Sequence, residues 1–425
     1  MNQQIDRGHR RRRMLGRGTD ESHRAATPLE LLFDLTFVVA FSFAGSAMAH
    51  EVAAGRIGVA LMGFAFSMFS ICWAWINFTW FASAFDTDDW LFRLMTMVQM
   101  VGVLILALGI DPLFASLEHG GHIDNIVVVL GYVVMRVALV GQWLRVAVQA
   151  PEYRATALSY ARWILAAQLG WVLLLFLPLN VAVFSLVTLA LVGVELSGPA
   201  RSERAKPTLW HAHHIAERYS LLAIITLGEV ILGTTEALRA VVATGGWTWQ
   251  VAAVGLAGVG LCFGLWWTYF MVPSADVLER LRGGGALLWG YGHIVVFAAI
   301  AATGAGLHVA ALFLQTHAVA PVAGADASAE HGICQSVAVL AVAIPVAVYF
   351  VVIFLLLSYL VRAVERFYVL LMTGTVAVIV LAVALGAAHV PFVVSLLLLA
   401  AAPLVTVVGY EIEGHRRHER FFATL

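Results

Sequence analysis

The sequence predicts an all-α polytopic membrane protein with twelve transmembrane helices, and three observations lead there. The 425 residues are 61% hydrophobic and only 12% charged, where a soluble domain has about 25% charged residues. Mean hydropathy is +0.88. Apolar runs of membrane length recur along the whole chain. A β-barrel is excluded, because its spans alternate in polarity and are far shorter. The net charge of −1 gives no footprint for a nucleic-acid partner.

The spans fall near residues 28–50, 55–83, 90–110, 124–149, 158–177, 179–197, 215–240, 248–272, 286–314, 334–361, 366–388 and 391–412. Span 1, PLELLFDLTFVVAFSFAGSAMAH, places Glu30 and Asp34 on one face with Phe37, Phe41 and Gly45. Ser42, Gly45, Ser46 and Ala49 are small enough to let helices approach closely. After span 2 comes FDTDDWLFR, where Asp86, Asp88 and Asp89 precede a helix start and suit capping of its free amides. Arg93 stands four residues beyond Asp89 and is expected to pair with it. No EF-hand spacing of Gly and Glu follows, so a Ca²⁺ loop is not expected there. Trp80, Trp90, Trp247 and Trp249 sit at span ends, where amphipathic rings prefer the membrane–water boundary.

Span 4 carries Arg136 in its interior, and such a group must pair or snorkel. Span 7, in HAHHIAERYSLLAIITLGEVILGTTE, carries Glu229 near its middle. An ionised Asp at a helix centre costs about 2.5–3.5 kcal/mol on insertion scales, so an acid there should face protein or water. Either it serves function, or it is a protonated acid that only ties helices together. The polar cluster His211, His213, His214, Glu217 and Arg218 opens the same span. Gln99 and His293 are polar positions inside spans and are expected, with Arg136, to partner the acids.

Orientation follows from Arg and Lys, which favour the cytoplasm. With both termini cytoplasmic, the inner segments collect seven Arg of the tail, then Arg93, Arg145, Arg154, Arg162, Arg201, Arg204, Lys206, Arg218, Arg280, Arg282, Arg362, Arg366, Arg416, Arg417 and Arg420. Outer segments keep only Arg56 and Arg239, and the long outer loops 111–124 and 315–333 have none. The Arg10–Arg13 run is expected to lie in a disordered basic tail, since no signal-peptide pattern follows it.

The halves resemble each other. Gly193 and Glu195 match Gly409 and Glu411 at an offset of 216, and Arg145 matches Arg362 at 217. Cys72 matches Cys262 at 190, Asp86 matches Asp276 at 190, and Asp34 matches Glu229 at 195. The expected organisation is a disordered tail at 1–27, a first six-helix repeat at 28–198, a cytoplasmic linker at 199–214, a second repeat at 215–412 and a cytoplasmic tail at 413–425. Six spans per half make the two repeats parallel, related by an axis along the membrane normal. Asp34 and Glu229 should then lie at equal depth.

Three stretches together resemble the bacterial low temperature requirement protein A (LtrA) family: LELLFDLTFVVAF at 29–41, FDTDDWLFRLMTMVQM at 85–100 and HIAERYSLLAIITLGEVI at 214–231. His214, Glu217, Arg218, Leu227, Gly228 and Glu229 fit the third and most specific of them. Leu32 stands where a second Phe is common, and Tyr219 where Phe is common. The resemblance implies a multi-pass protein of the bacterial inner membrane linked to growth in the cold, and it implies no substrate.

Three function classes remain. The favoured one is a proton- or ion-coupled transporter or ion-conducting protein, with Asp34 and Glu229 lining a path tuned by Glu30, Gln99, Arg136 and His293. The second is a membrane enzyme acting on a lipid or isoprenoid at a cytoplasmic rim of Asp86, Asp88, Asp89, Arg93, His214, Glu217 and Arg218. The third is a non-catalytic protein of membrane adaptation. Membrane lipids and a small ion or proton are the expected partners. No cofactor fingerprint stands out, and no metal site is expected, although His119, His122, Asp124, His317 and His331 dot the outer loops.

Overall fold

The computed structural model describes residues 12–16, 24–119, 123–279, 281, 284–318, 333–361 and 365–414. Most of the basic tail, Arg280, Arg282, Arg362, Arg416, Arg417, Arg420, His122 and His331 lie outside the described residues. Among the described residues the chain forms fourteen α-helices. They are α1 (Pro28–Ala53), α2 (Ile57–Phe85), α3 (Trp90–Leu108), α4 (Ile110–His119), α5 (Ile126–Gln149), α6 (Arg154–Leu174) and α7 (Val181–Ser202). Then follow α8 (Ala212–Gly245), α9 (Trp249–Phe270), α10 (Ser274–Leu278), α11 (Gly284–Ala318), α12 (Gln335–Val361), α13 (Arg366–Ala387) and α14 (Phe392–Gly409). Among the described residues, twelve spans are long and apolar enough to cross a membrane, with α3 and α4 together making Trp90–His119.

The expected outer loop at 111–124 is therefore mostly helix. Ile110, Leu113, Phe114 and Leu117 repeat at helical spacing and are all buried, which holds α4 in place. The start of α1 is fixed by its own sequence. The Thr27 hydroxyl accepts from the Glu30 N–H at 3.3 Å, and Glu30 Oε2 accepts from the Thr27 N–H at 2.8 Å. This reciprocal pair is a capping box, with Pro28 at the first helical position.

The chain divides into two compact units, each drawing on both sequence halves. Unit 1 comprises residues 1–44, 62–221 and 278–290, and unit 2 comprises 45–61, 222–277 and 291–425. In unit 1, α3 packs along α5, α5 on α6 and α6 on α7. The α3–α5 approach is close because Gly131 has no side chain: a Cβ there would lie 2.3 Å from the Leu106 nitrogen. In unit 2, α14 packs on α9 and α13, and α12 on α13. There Gly304 admits the Glu229 backbone, since a Cβ on it would meet the Glu229 carbonyl oxygen at 2.5 Å.

The expectation of a disordered tail does not extend to residues 12–16 and 24–27. The Arg12 N–H donates to Asp89 Oδ2 at 2.9 Å, and the Met14 N–H donates to Gln149 Oε1 at 2.7 Å. The Arg24 guanidinium donates to the Ser83 carbonyl at 2.6 Å.

Candidate functional site: a buried charge network in unit 1

The centre of the network is Arg218, on α8 and wholly buried. Its Nε donates to Asp34 Oδ2 at 3.0 Å, and its Nη2 donates to Asp34 Oδ1. Its Nη1 lies 3.0 Å from Glu30 Oε1. One guanidinium thus serves two carboxylates from α1, and it can do so because Glu30 and Asp34 are one turn apart. Asp34 also accepts from the Trp75 indole N–H at 2.7 Å. Glu30 lies 3.1 Å from His214 Nε2 and 3.7 Å from Arg24 Nη2. Glu30, Asp34, His214, Arg218 and Trp75 are all 0% exposed.

Aromatic rings seal this network. The Tyr219 ring lies 4.9 Å from Trp75 and 4.7 Å from Trp289, and its hydroxyl accepts from the Trp80 indole N–H at 3.0 Å. His214 Nδ1 is buried with no hydrogen-bond partner. In such surroundings a charge is tolerated only when paired and hydrogen-bonded.

The partners expected for Asp34 sit elsewhere. Gln99 donates to the Gln142 side-chain carbonyl at 3.1 Å. Arg136 lies 3.5 Å from Glu195 and donates to the Tyr132 hydroxyl. His293, in unit 2, packs against the rings of Tyr269 and Phe297. Glu229, also in unit 2, is buried beside Gly45 and Gly304. Arg218 and Glu229 are eleven residues apart on α8, a rise of roughly 16 Å.

Each rim residue has a structural partner. Asp86 accepts from Arg24 at 3.4 Å and from the Asp88 N–H at 2.7 Å. Arg93 pairs with Asp88 at 2.8 Å rather than with Asp89. Asp88 adopts φ 46° and its side chain is about 40% exposed, whereas Asp89 is buried, caps Phe92 N at 2.9 Å and binds Arg145. Burial pushes the Asp89 carboxyl up, but Arg145 and the N–H groups of Phe92 and Arg12 outweigh it and hold it at about 2. Glu217 accepts from the Ala26 N–H at 3.2 Å, and His213 pairs with Glu279 at 3.1 Å. Among the described residues no three His, Cys, Asp or Glu side chains converge as a metal site.

Sequence reasoning used Glu195 only as a repeat marker. In the structure it is a second buried centre. It accepts from the Trp73 indole at 2.8 Å, the Tyr132 hydroxyl at 2.8 Å, the Trp171 indole at 3.3 Å and the Gln168 amide at 3.4 Å. The available signals were an acid inside an apolar span and Trp73 and Trp75 in mid-span, away from the boundary where tryptophan gathers.

The three stretches that carry the likeness, 29–41, 85–100 and 214–231, meet in this network. The sequence pattern of the bacterial low temperature requirement A protein (LtrA) family matches residues 25–403. The chain belongs to the LtrA family. It is also 25% identical over 304 residues to the uncharacterized protein RA0937 of Rhizobium meliloti (strain 1021), covering 68% of this chain and 69% of that protein. No solved structure matches it. This LtrA family member is a multi-pass membrane protein by its twelve apolar spans.

Proposed function

We propose that this LtrA family protein is a proton- or ion-coupled transporter of the bacterial inner membrane, with Glu30, Asp34, His214 and Arg218 as its titrating network. One observation carries the reading: two carboxylates share a single guanidinium, fully buried in membrane-length helices, with a histidine beside one of them. Stability alone gives little reason to keep such a group, because apolar replacement of a buried ion triad is often neutral or stabilising. Charged residues inside spans commonly mark ion and proton pathways. A proton taken up by His214 would loosen Arg218 from Glu30 and let α1 and α8 adopt a second arrangement. Glu229 supplies a further buried acid in unit 2. The six-helix duplication and a role in growth at low temperature belong to the same proposal.

Purified protein in liposomes tests it. A pH gradient should drive flux that is lost in Asp34→Asn, Glu30→Gln and His214→Gln. If these variants fold and carry the wild-type flux, the network is structural. If the wild type carries none, the coupled-transport reading fails. The rim acids support the lipid-enzyme alternative less well, because they are committed to caps and ion pairs.

A further inference from the structure

One end of the α6–α7 pair gathers cations that no carboxylate neutralises. Arg154 and Arg162 lie on α6, Arg201 lies in the last turn of α7, and Arg204 and Lys206 follow it. All five are exposed. Elsewhere in unit 1, Arg24, Arg93, Arg136, Arg145 and Arg218 each pair with a carboxylate. Among the described residues the five have no such partner. The acids of the same two segments, 152–162 and 201–206, are Glu152 and Glu203. Glu203 is taken by the Tyr160 hydroxyl at 2.7 Å and by the Thr208 N–H at 2.6 Å. Glu152 is then the one exposed acid against five cations.

Packing holds the cluster together. The Ser202 hydroxyl donates to Ser159 Oγ at 2.9 Å, and the Thr156 hydroxyl donates to the Lys206 carbonyl at 2.8 Å. The Arg201 guanidinium lies over the Trp163 ring at 5.0 Å, and Lys206 Nζ lies over the Tyr153 ring at 4.2 Å. A guanidinium whose flat face meets a ring keeps its in-plane N–H donors for an oxyanion. Arg162 Nε donates to the Leu158 carbonyl at 3.3 Å. That contact turns its head group back one turn toward the start of α6, as a long cationic side chain inside a span does when it reaches for the boundary. Beyond Arg162, Leu165 and Leu169 are 52% and 62% exposed and continue the same side of α6. The rise from Arg162 to Leu169 is roughly 10 Å, within the roughly 15 Å of one leaflet.

We propose that this face binds an anionic phospholipid. Arg162 and Arg201 hold its phosphate, and an acyl chain lies along Leu165 and Leu169. Arg154, Arg204 and Lys206 draw in the rest of the headgroup charge. Complementarity selects the occupant: unneutralised cations call for an anion, and exposed leucines at membrane depth call for hydrocarbon. An anionic lipid supplies both in one molecule. A zwitterionic lipid brings its own cation, and free phosphate brings no chain. In the orientation expected from Arg and Lys, this end faces the cytoplasm, where the leaflet surface is negative. The proposal does not rest on the coupled-transport reading.

Native mass spectrometry of the full chain, titrated with dioleoyl phosphatidylglycerol and separately with dioleoyl phosphatidylcholine, tests it. The wild type should prefer the anionic lipid. Arg162→Gln and Arg201→Gln should each weaken that binding about fivefold, the effect of one cation near an anionic surface, and together about 25-fold. Both side chains are exposed, and the single variants carry the test if the double does not fold. Arg366→Gln removes an exposed arginine of unit 2 and should leave the affinity as it was. Equal weakening by Arg366→Gln would overturn the site in favour of attraction by net charge. Equal binding of the two lipids, or unchanged affinity in both single variants, overturns it as well. So does displacement of the bound lipid by millimolar inorganic phosphate, which would make the occupant a free anion.

Discussion

Replacing Arg218 with methionine isolates what the guanidinium does. It removes a contact of 3.0 Å to Glu30 and another of 3.0 Å to Asp34. At an effective dielectric of about 20, a unit charge pair at that distance gains roughly 5–6 kcal/mol. Much of that gain is offset by desolvation of several kcal/mol per ion, so the net effect of breaking a buried pair is about 3–5 kcal/mol. Arg218→Met should therefore destabilise the protein by about that amount, because two carboxylates stay buried without their cation. The charge-free variant Glu30→Met, Asp34→Leu, Arg218→Met should recover the loss and still carry no flux. Reversible denaturant unfolding in detergent micelles, followed by tryptophan fluorescence, measures the first part, and liposome flux the second. A loss under about 1 kcal/mol in Arg218→Met, the range of exposed pairs, would refute the neutralising role. Equal loss in the charge-free variant would show that shape, not charge, holds α1 against α8.

The Asp89–Arg145 contact predicts an acid-side transition. Asp89 is held at about 2 against an ordinary 3.8, so its stabilising contribution is present above 3.8 and disappears as pH falls through 2. Asp89→Asn should flatten the thermal stability profile over that interval and expose residues 12–16 to protease. Gly131→Ala should cost about 1–3 kcal/mol by overpacking, because its methyl would sit 2.3 Å from the Leu106 nitrogen; the unfolding midpoint reads this. Asp88→Ala removes a pair in which both side chains are about 40% exposed. It should change stability by under about 1 kcal/mol, with flux unaltered.

Hydropathy made the spans readable because each needs only a long apolar run, and the run is present in the sequence itself. Glu30 and Asp34 were also readable as candidates, since ionisable groups at membrane depth are conspicuous, whereas His214 and Arg218 were readable only as members of a polar cytoplasmic rim. Their pairing was not. Local spacing pointed to contacts such as Arg93 with Asp89, one helical turn apart. The observed partners, Asp34 with Arg218 and Asp89 with Arg145, are 184 and 56 residues apart and are set by helix packing. The helix α4 was missed for a related reason. Pro112, Glu118 and the following glycines read as loop residues, while four buried apolar side chains decide for helix. The Glu195 centre needed five donors from α2, α5 and α6 to become visible.

The distance in sequence between Asp34 and Arg218 also bears on how the protein is made. Synthesis at about 5–20 residues per second puts roughly 10–40 s between them. During that interval α1 has no arginine from α8 for its two acids. Its eleven Leu, Phe and Val residues each favour insertion by about 0.3–0.6 kcal/mol, which sums to roughly 3–7 kcal/mol, against about 2.5–3.5 kcal/mol for Asp34 alone. With Glu30 added, the first helix inserts near balance. Its lodging in the bilayer is completed by a residue more than a third of the chain away, so a chain stopped before α8 should leave α1 only weakly held in the membrane.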